Sequence, residues 1–310
     1  MNHDSLIKEY VNYLEHTPHQ QISATLSVIL EEYQVAQTRG RRQIDAHARI
    51  ALIDLLDPAA APTYTDLLMK LRDQPYQVSK FASLTAQERL GFLLTLIPAL
   101  KAHYQRLEIS PEVFLATLSD VFLRGNIHYL DQGQFGLPAD DFAWLLQIFF
   151  LAIFKLGELQ FERTHFDPTT LPEDIHFYDR PLTTGQAVIS VHIMEDSYLD
   201  SASIEDAFQQ AQSLFKNDFP IADYYCYSWL LYPGLAKVLD SHSKILNFQS
   251  YFTIIGDSPW PDMAYQRILG VDSAQDFHGP ARTRLQEAAL HQPQAMGVGV
   301  GIIPRQKFQK

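Results

Sequence analysis

Along the first half of the chain the apolar positions recur with the period of a helix. Leu6, Ile7, Tyr10, Val11 and Leu14 make one stripe. Leu26, Ile29, Leu30 and Tyr33 make a second, Tyr64, Leu67, Leu68 and Leu71 a third, and Phe114, Leu118, Val121 and Phe122 a fourth. Each repeats at three or four residues, as a buried helical face requires. The start signals agree. Thr85 precedes Glu88 by three residues, the spacing of a reciprocal capping box, and Ser110 precedes Pro111, whose missing N–H would be unpaired at the first helical position anyway. The stretches 57–63 (DPAAAPT) and 131–138 (DQGQFGLP) predict loops. The most apolar run, Phe142 to Phe154, reads as a buried helix: Gln147 interrupts it, Asp141 and Lys155 bound it, and it falls short of the roughly 18–20 residues a bilayer span needs. Residues 1–155 are therefore expected to form an all-helical domain.

After Lys155 the period falls to two. In 157–164 (GELQFERT) the alternation sets Glu158, Gln160 and Glu162 on one face and Leu159 and Phe161 on the other. The β-branched run 188–193 (VISVHI) and the aromatic run 224–231 (YYCYSWLL) predict strands. Between them lies a helix from Ser203, as N-cap, through Lys216, with Ile204, Phe208, Ala211 and Phe215 inward. A short helical piece (PGLAKVLD) leads to 247–255 (NFQSYFTII), whose alternation predicts a strand, and 264–269 (AYQRIL) and 298–303 (VGVGII) predict the last two. The expected fold class is α+β: an all-helical domain, 1–155, followed by a mixed α/β domain, 156–310, with a central twisted sheet.

Composition narrows the function. A chain of 310 residues can build two cores. Its one cysteine permits no internal disulfide, and MNHDSLIKEY at the start lacks the basic and then apolar pattern of a secretory signal, so a cytoplasmic location is expected. The net charge of −12 argues against a nucleic-acid partner, because phosphate backbones are bound by clustered Lys and Arg. The one basic cluster, TRGRRQ at 38–43, reads as a solvated loop. No membrane partner is expected. Paired cysteines, an HExxH motif and a GxxxxGK[ST] loop are all missing from the sequence, so metal, nucleotide-hydrolysis and dinucleotide chemistry have no support in it.

The order strand, loop, helix, strand, helix, strand is filled by distinctive phrases: ISPEVFLATLSDV at 109–121, FKLGELQFER at 154–163, VISVHI at 188–193, CYSWLLYPGL at 226–235 and SKILNFQSYF at 243–252. With them the chain resembles a family of bacterial acyltransferase-like proteins that join an N-terminal helical domain to a C-terminal domain of the GNAT (N-acetyltransferase) type. The resemblance implies CoA, or an acyl-CoA such as acetyl-CoA, as co-substrate. In GNAT-type chemistry two neighbouring parallel strands splay apart, the pantetheine arm lies in the gap, and the pyrophosphate rests on N–H groups at the start of the next helix. By that resemblance the splayed pair is VISVHI and YYCYSWLL. Backbone N–H groups at His192, Ile193 and Met194 face the thioester oxygen, Ser201 and Ser203 serve the pyrophosphate, and Cys226 and Trp229 border the slot. One departure is plain. The usual basic, glycine-rich loop is replaced by MEDSYLDSAS at 194–203, which has no glycine and carries Glu195, Asp196 and Asp200 against the ligand's negative charge.

Direct transfer to an amine requires a base for the acceptor's proton and a proton for the departing thiolate. His192, at the end of the first slot strand, is one candidate base, and Glu158 and Glu162 compete with it. Ser228 and Tyr232, where the second strand leaves the sheet, are candidates for the thiolate. Cys226 admits two readings, a nucleophile paired with His192 or a small buried hydrophobe in the sheet. The expected function is transfer of an acyl group from a CoA thioester to a small-molecule amine. The alternatives are a non-catalytic module that binds acyl-CoA or another ligand and, third, a cysteine hydrolase.

Overall fold

The computed structural model describes residues 3–37, 40–72, 81–178, 182–195, 197–216 and 222–308. The chain divides into two compact units, Met1–Lys155 and Leu156–Lys310. The first is built of α1 (His3–His16), α2 (His19–Ala36), α3 (Ala46–Ile53), α4 (Ala61–Leu71), α5 (Ala86–Arg106), α6 (Pro111–Gln132) and α7 (Ala139–Phe149). The four apolar stripes face inward as their spacing requires, Val11 alone being only half-buried. Both bonds of the capping box form: Thr85 N–H donates to Glu88 Oε2 at 2.6 Å, and Glu88 N–H donates to Thr85 Oγ1 at 3.2 Å. Every residue of α5 from Leu90 to Leu100 is buried, which makes it the central helix of this unit. A charged group is sealed alongside: Asp120 accepts from Arg124 Nε at 3.0 Å and from Trp144 Nε1 at 2.9 Å, and Arg124 also reaches Asp141.

Three expectations for this half need correction. The loop predicted at 57–63 already contains the start of α4. The apolar run Phe142 to Phe154 is not one helix: α7 ends at Phe149, Leu151 takes φ 57°, and the chain continues as a strand. The basic cluster is not a solvated loop throughout, because Arg42 is buried and its carbonyl accepts from Tyr33 Oη at 2.8 Å. Asn126 Nδ2 holds the carbonyls of Arg41 and Gln43 on either side of it. Thr38 and Arg39 lie outside the described residues.

The second half contributes β1 (Ile153–Leu156), β2 (Leu159–His165), β3 (His176–Phe177), β4 (Ala187–Ile193), α8 (Ser201–Leu214), β5 (Asp223–Ser228), α9 (Lys244–Gln249), β6 (Thr253–Ser258), α10 (Asp262–Ile268), α11 (Arg284–His291) and β7 (Val298–Ile303). Among the described residues the strands form one seven-stranded sheet in the order β1-β2-β4-β5-β7-β6-β3. The β4–β5 pair is parallel, and β2–β4, β5–β7, β6–β7 and β3–β6 are antiparallel. Helix α8 covers one face, its Phe208 ring 5.4 Å from Phe161 and 4.9 Å from Tyr224. The other face packs Phe166, Val188, Tyr225, Ile255 and Val300 together. The glycines of VGVGII have a steric reason: a Cβ on Gly299 would collide with the Leu231 carbonyl, so the chain leaving β5 lies directly on β7.

Strand assignments at 247–255 and 264–269 give way to helix. The first is α9 followed by β6: Ser243 caps the helix by accepting from Ile245 N–H, the helix ends at Gln249, and the strand begins only at Thr253. The second is α10, entered through Pro261 with Asp262 in its first turn, and it leaves Arg267 exposed. Helix α8 begins at Ser201 with Asp200 as its N-cap in place of Ser203, three residues earlier than expected. Among the described residues no helix is long and apolar enough to cross a membrane.

Candidate active site

The parallel register of β4 and β5 runs from Val188↔Asp223 to Ser190↔Tyr225 and stops there, although β4 continues to Ile193 and β5 to Ser228. Each strand keeps its outer neighbour over that stretch: Ile193 still faces Leu159 on β2, and Ser228 still faces Gly299 on β7. The inner ladder therefore opens at 191–193 and 226–228 while the outer ones hold. Strand geometry turns backbone N–H and C=O groups of alternate residues toward such a gap, where an extended ligand can pair with them.

Around the opening the two faces of the sheet differ. Val188, Ser190 and His192 share the face of Tyr225 and Tyr227. Ile189, Val191 and Ile193 share the α8 face with Tyr224, Cys226 and Ser228. On the first face His192 Nε2 lies 2.9 Å from Glu162 Oε2, and both side chains are partly exposed, at 28% and 18%. The β2–β4 register produces this meeting, since Glu162 stands opposite Ser190, one diagonal step from His192. An ionised carboxylate can only accept, so Nε2 is the donor in this contact, which favours the tautomer whose lone pair is on Nδ1. Glu158 is placed elsewhere. It sits in the β1–β2 turn behind Gly157 and does not share a strand face with Glu162. Its carboxylate accepts from Tyr198 N–H at 3.2 Å and its carbonyl from Ser197 Oγ at 2.7 Å, anchoring the loop between β4 and α8.

Cys226 is completely buried on the α8 face, and burial pushes its thiol well above the ordinary range. The thiol and the His192 imidazole thus stand on opposite sides of the sheet, so they do not form the dyad a cysteine hydrolase needs. Ser228 Oγ accepts from Leu230 N–H at 3.2 Å, turning the chain out of β5. Trp229 packs beside Leu235 and Ala264. The Tyr232 ring lies where a Cβ on Gly297 would come within 2.7 Å of it, and burial, with a smaller contribution from the Asp257 charge, raises its pKa.

Past the opening, Ile193 and buried Met194 lead into the acidic loop. Glu195 is exposed, and Asp196 lies outside the described residues. The Asp200 carboxylate accepts from both Ser203 N–H and Ser203 Oγ, at 3.1 and 2.9 Å. These bonds, with a smaller contribution from the Lys244 charge, hold it below the usual carboxylate range. Beside this helix start a cavity of about 480 Å³ is lined by Asp200, Ser201, His242, Ser243, Lys244 and Asn247 among others. Ser201 Oγ donates to Asn247 Oδ1 at 3.2 Å, and Lys244 Nζ lies 5.5 Å from the Tyr198 ring centroid. Lys244 thus supplies a cation next to a loop that looked only acidic. Nothing local in SKILNF marks it, because the fold brings it to α8 from forty-odd residues away.

Residues 153–303 match the profile of the GNAT-like C-terminal domain, and residues 30–151 match that of the N-acyltransferase N-terminal domain. None of the curated proteins compared with the chain matches it. Solved structures of acyltransferases share the fold. An acyltransferase in complex with CoA and 10C-teicoplanin is 18% identical, with a TM-score of 0.64, over 85% of this chain and 85% of that one. An acyltransferase in complex with decanoyl-CoA and teicoplanin is 17% identical, with a TM-score of 0.64, over 93% and 99%. An acyltransferase in complex with decanoyl-CoA is 20% identical, with a TM-score of 0.61, over 98% and 99%. An N-acyltransferase N-terminal domain followed by a GNAT-like C-terminal domain is the arrangement that the chain's own phrases resemble, and the protein belongs to that two-domain acyltransferase-like family.

Proposed function

We propose that this protein is a CoA-dependent N-acyltransferase that moves an acyl group from a CoA thioester directly to a small-molecule amine. The observation that carries the reading is the opened ladder between β4 and β5, with the start of α8 and the Lys244 cavity beyond it. A thioester, once bound, supplies an activated acyl carbon and a thiolate leaving group. The residues fit such a ligand: the gap has the form of a pantetheine slot, and Lys244, Ser201 and Ser243 offer a cation and hydroxyls to a phosphate. The Asp200 carboxylate is engaged with Ser203, which tempers the objection raised by the acidic loop.

In this account His192 is the base. Glu162 fixes its tautomer and ring orientation, so that Nδ1 takes the acceptor's proton, and the carboxylate balances the charge the ring then carries. Backbone N–H groups at His192 to Met194 would meet the acyl oxygen, and Tyr232 is the hydroxyl assigned to the departing thiolate. Ser228 serves the turn, Glu158 anchors the loop, and Cys226 packs the sheet. Solved relatives of the same fold that hold CoA, decanoyl-CoA and teicoplanin support this class of substrate.

Isothermal titration of the purified protein with CoA, acetyl-CoA and decanoyl-CoA tests the reading. Micromolar binding is expected, weakened about 10-fold in Lys244→Ala through loss of a charged hydrogen bond. Absence of binding to all three ligands would contradict it.

A further inference from the structure

The catalytic face of the sheet carries a second polar side chain that the account above leaves without work. Continuing the register two residues beyond Ser190↔Tyr225 brings His192 and Tyr227 to the two sides of the opening, on the same face. The Tyr227 ring packs against the cluster that includes Phe166, Val188 and Val300, which fixes the hydroxyl's position. Burial, and then the neighbouring Asp174 charge, pushes Tyr227 up to about 12, so it is a neutral hydroxyl at assay pH. Asp174 itself accepts from Ser258 Oγ at 2.7 Å. Carboxylates therefore flank this face on both sides, Glu162 beyond His192 and Asp174 beside Tyr227, an environment that draws in a protonated amine.

Resting on the function proposed above, we infer that Tyr227 is a further catalytic residue that selects primary amines as acceptors. A primary amine has two N–H groups and one lone pair. If one N–H points to His192 Nδ1 and the other to the Tyr227 hydroxyl, the lone pair is aimed into the slot at the acyl carbon. The step balances. The incoming ammonium first gives one proton to solvent. The free amine nitrogen then forms a bond to the acyl carbon, the carbon–sulfur bond breaks with its electron pair on sulfur, His192 takes a second nitrogen proton and Tyr232 gives one to the thiolate, so the products are an amide and CoA thiol. The imidazolium and the tyrosinate are reset by proton exchange with solvent. A secondary amine can satisfy only one of the two acceptors, so the site loses the other hydrogen bond and the aim with it.

The test uses small nucleophiles that need no further recognition: hydroxylamine, which keeps an NH₂ group, and N-methylhydroxylamine, which has one N–H. Thiol release from decanoyl-CoA is followed for the native protein and Tyr227→Phe, with the uncatalysed rate subtracted. Phenylalanine keeps the ring in its cluster, and a thermal melt checks that the variant is folded. The native protein is expected to prefer hydroxylamine about 10-fold. Tyr227→Phe should lose about 10-fold in kcat/KM for hydroxylamine with unchanged KM for decanoyl-CoA, and its preference should vanish. Equal use of both nucleophiles by the native protein, or unchanged kinetics in Tyr227→Phe, overturns the inference while leaving acyl transfer standing. Decanoyl-CoA binding without thiol release to either nucleophile also overturns it. Failure to bind CoA overturns this inference and the proposed function together.

Discussion

Two histidines, one in each unit, show how surroundings divide the same side chain between packing and chemistry. His103 lies in α5 at 2% exposure, its ring edge-on to Tyr10 with centroids 5.1 Å apart. Arg106 Nη2 approaches its Nδ1 at 2.5 Å, and Glu9 stands off at 3.6 Å. Burial first, and then the Arg106 charge, lowers its pKa below the ordinary 6.5, with Glu9 opposing. His103 is a neutral, buried acceptor. His192 ends a strand beside an opened ladder, reaches solvent, and has a carboxylate as its close partner. The difference lies in the sign of the nearest charge and in access. A cation beside a sealed ring disfavours protonation, whereas a carboxylate beside an open one orients the ring for proton transfer.

The largest effect expected from this contrast is kinetic. His192→Ala should lower kcat for amine-dependent thiol release by about 10²–10⁴-fold while leaving the melting temperature nearly unchanged. An equal kinetic loss in His103→Ala, measured on folded protein, would break the comparison. Next in size is stability. His103→Ala empties a buried site and should cost about 2–4 kcal/mol in chemical denaturation, with kcat per folded molecule retained. The pH dependence has a definite sign. The folded-state pKa of His103 is depressed, so the unfolded chain binds the proton more readily. The associated stability is fully present above pH 6.5 and is lost as pH falls from there through the folded-state value. Denaturation of His103→Gln across pH 5 to 8 should show a flatter profile than the native protein, and an equally steep one would contradict the assignment.

Smaller effects sharpen the account of the pair. Glu162→Gln keeps a hydrogen-bonding side chain but removes the charge, and should lower kcat about 10–100-fold with unchanged CoA affinity. Unaltered kcat would show that His192 works without it. The least change is expected for Cys226→Ala: a loss of about 1 kcal/mol from a small buried void, and kcat within about twofold of native. Abolished turnover there would restore the covalent reading.

What could be read in advance was local. The cap at Thr85 and Glu88 is written in four consecutive residues, and the stripes of α1, α2, α4 and α6 in one or two turns each. Where one pattern satisfies two structures, the reading failed. Phe248 and Phe252 alternate with polar neighbours as a strand would, but Phe248 falls in α9 and Phe252 in the bend that leads to β6. Asp200 and Ser203 are equally good caps by residue type, and only the realised hydrogen bonds distinguish them. The site was legible as far as its strands. The strands that carry His192 and Cys226 were identified, but the Glu162 contact depends on the β2–β4 register, and Lys244 on a non-local approach to α8. The supposed companionship of Glu158 and Glu162 assumed that the strand began at Gly157, where the chain instead turns, so that β2 starts only at Leu159.

The central claim is that the opened β4–β5 ladder holds an acyl-CoA while His192 takes a proton from an amine. The most direct measurement is thiol release from decanoyl-CoA by the native protein and His192→Ala, with and without a panel of primary amines, alongside calorimetric CoA affinities of both. The account predicts amine-dependent release by the native protein, at least about 100-fold slower in His192→Ala, with the two affinities equal. Equal rates in the two proteins, or an affinity for CoA that disappears with the imidazole, would contradict it.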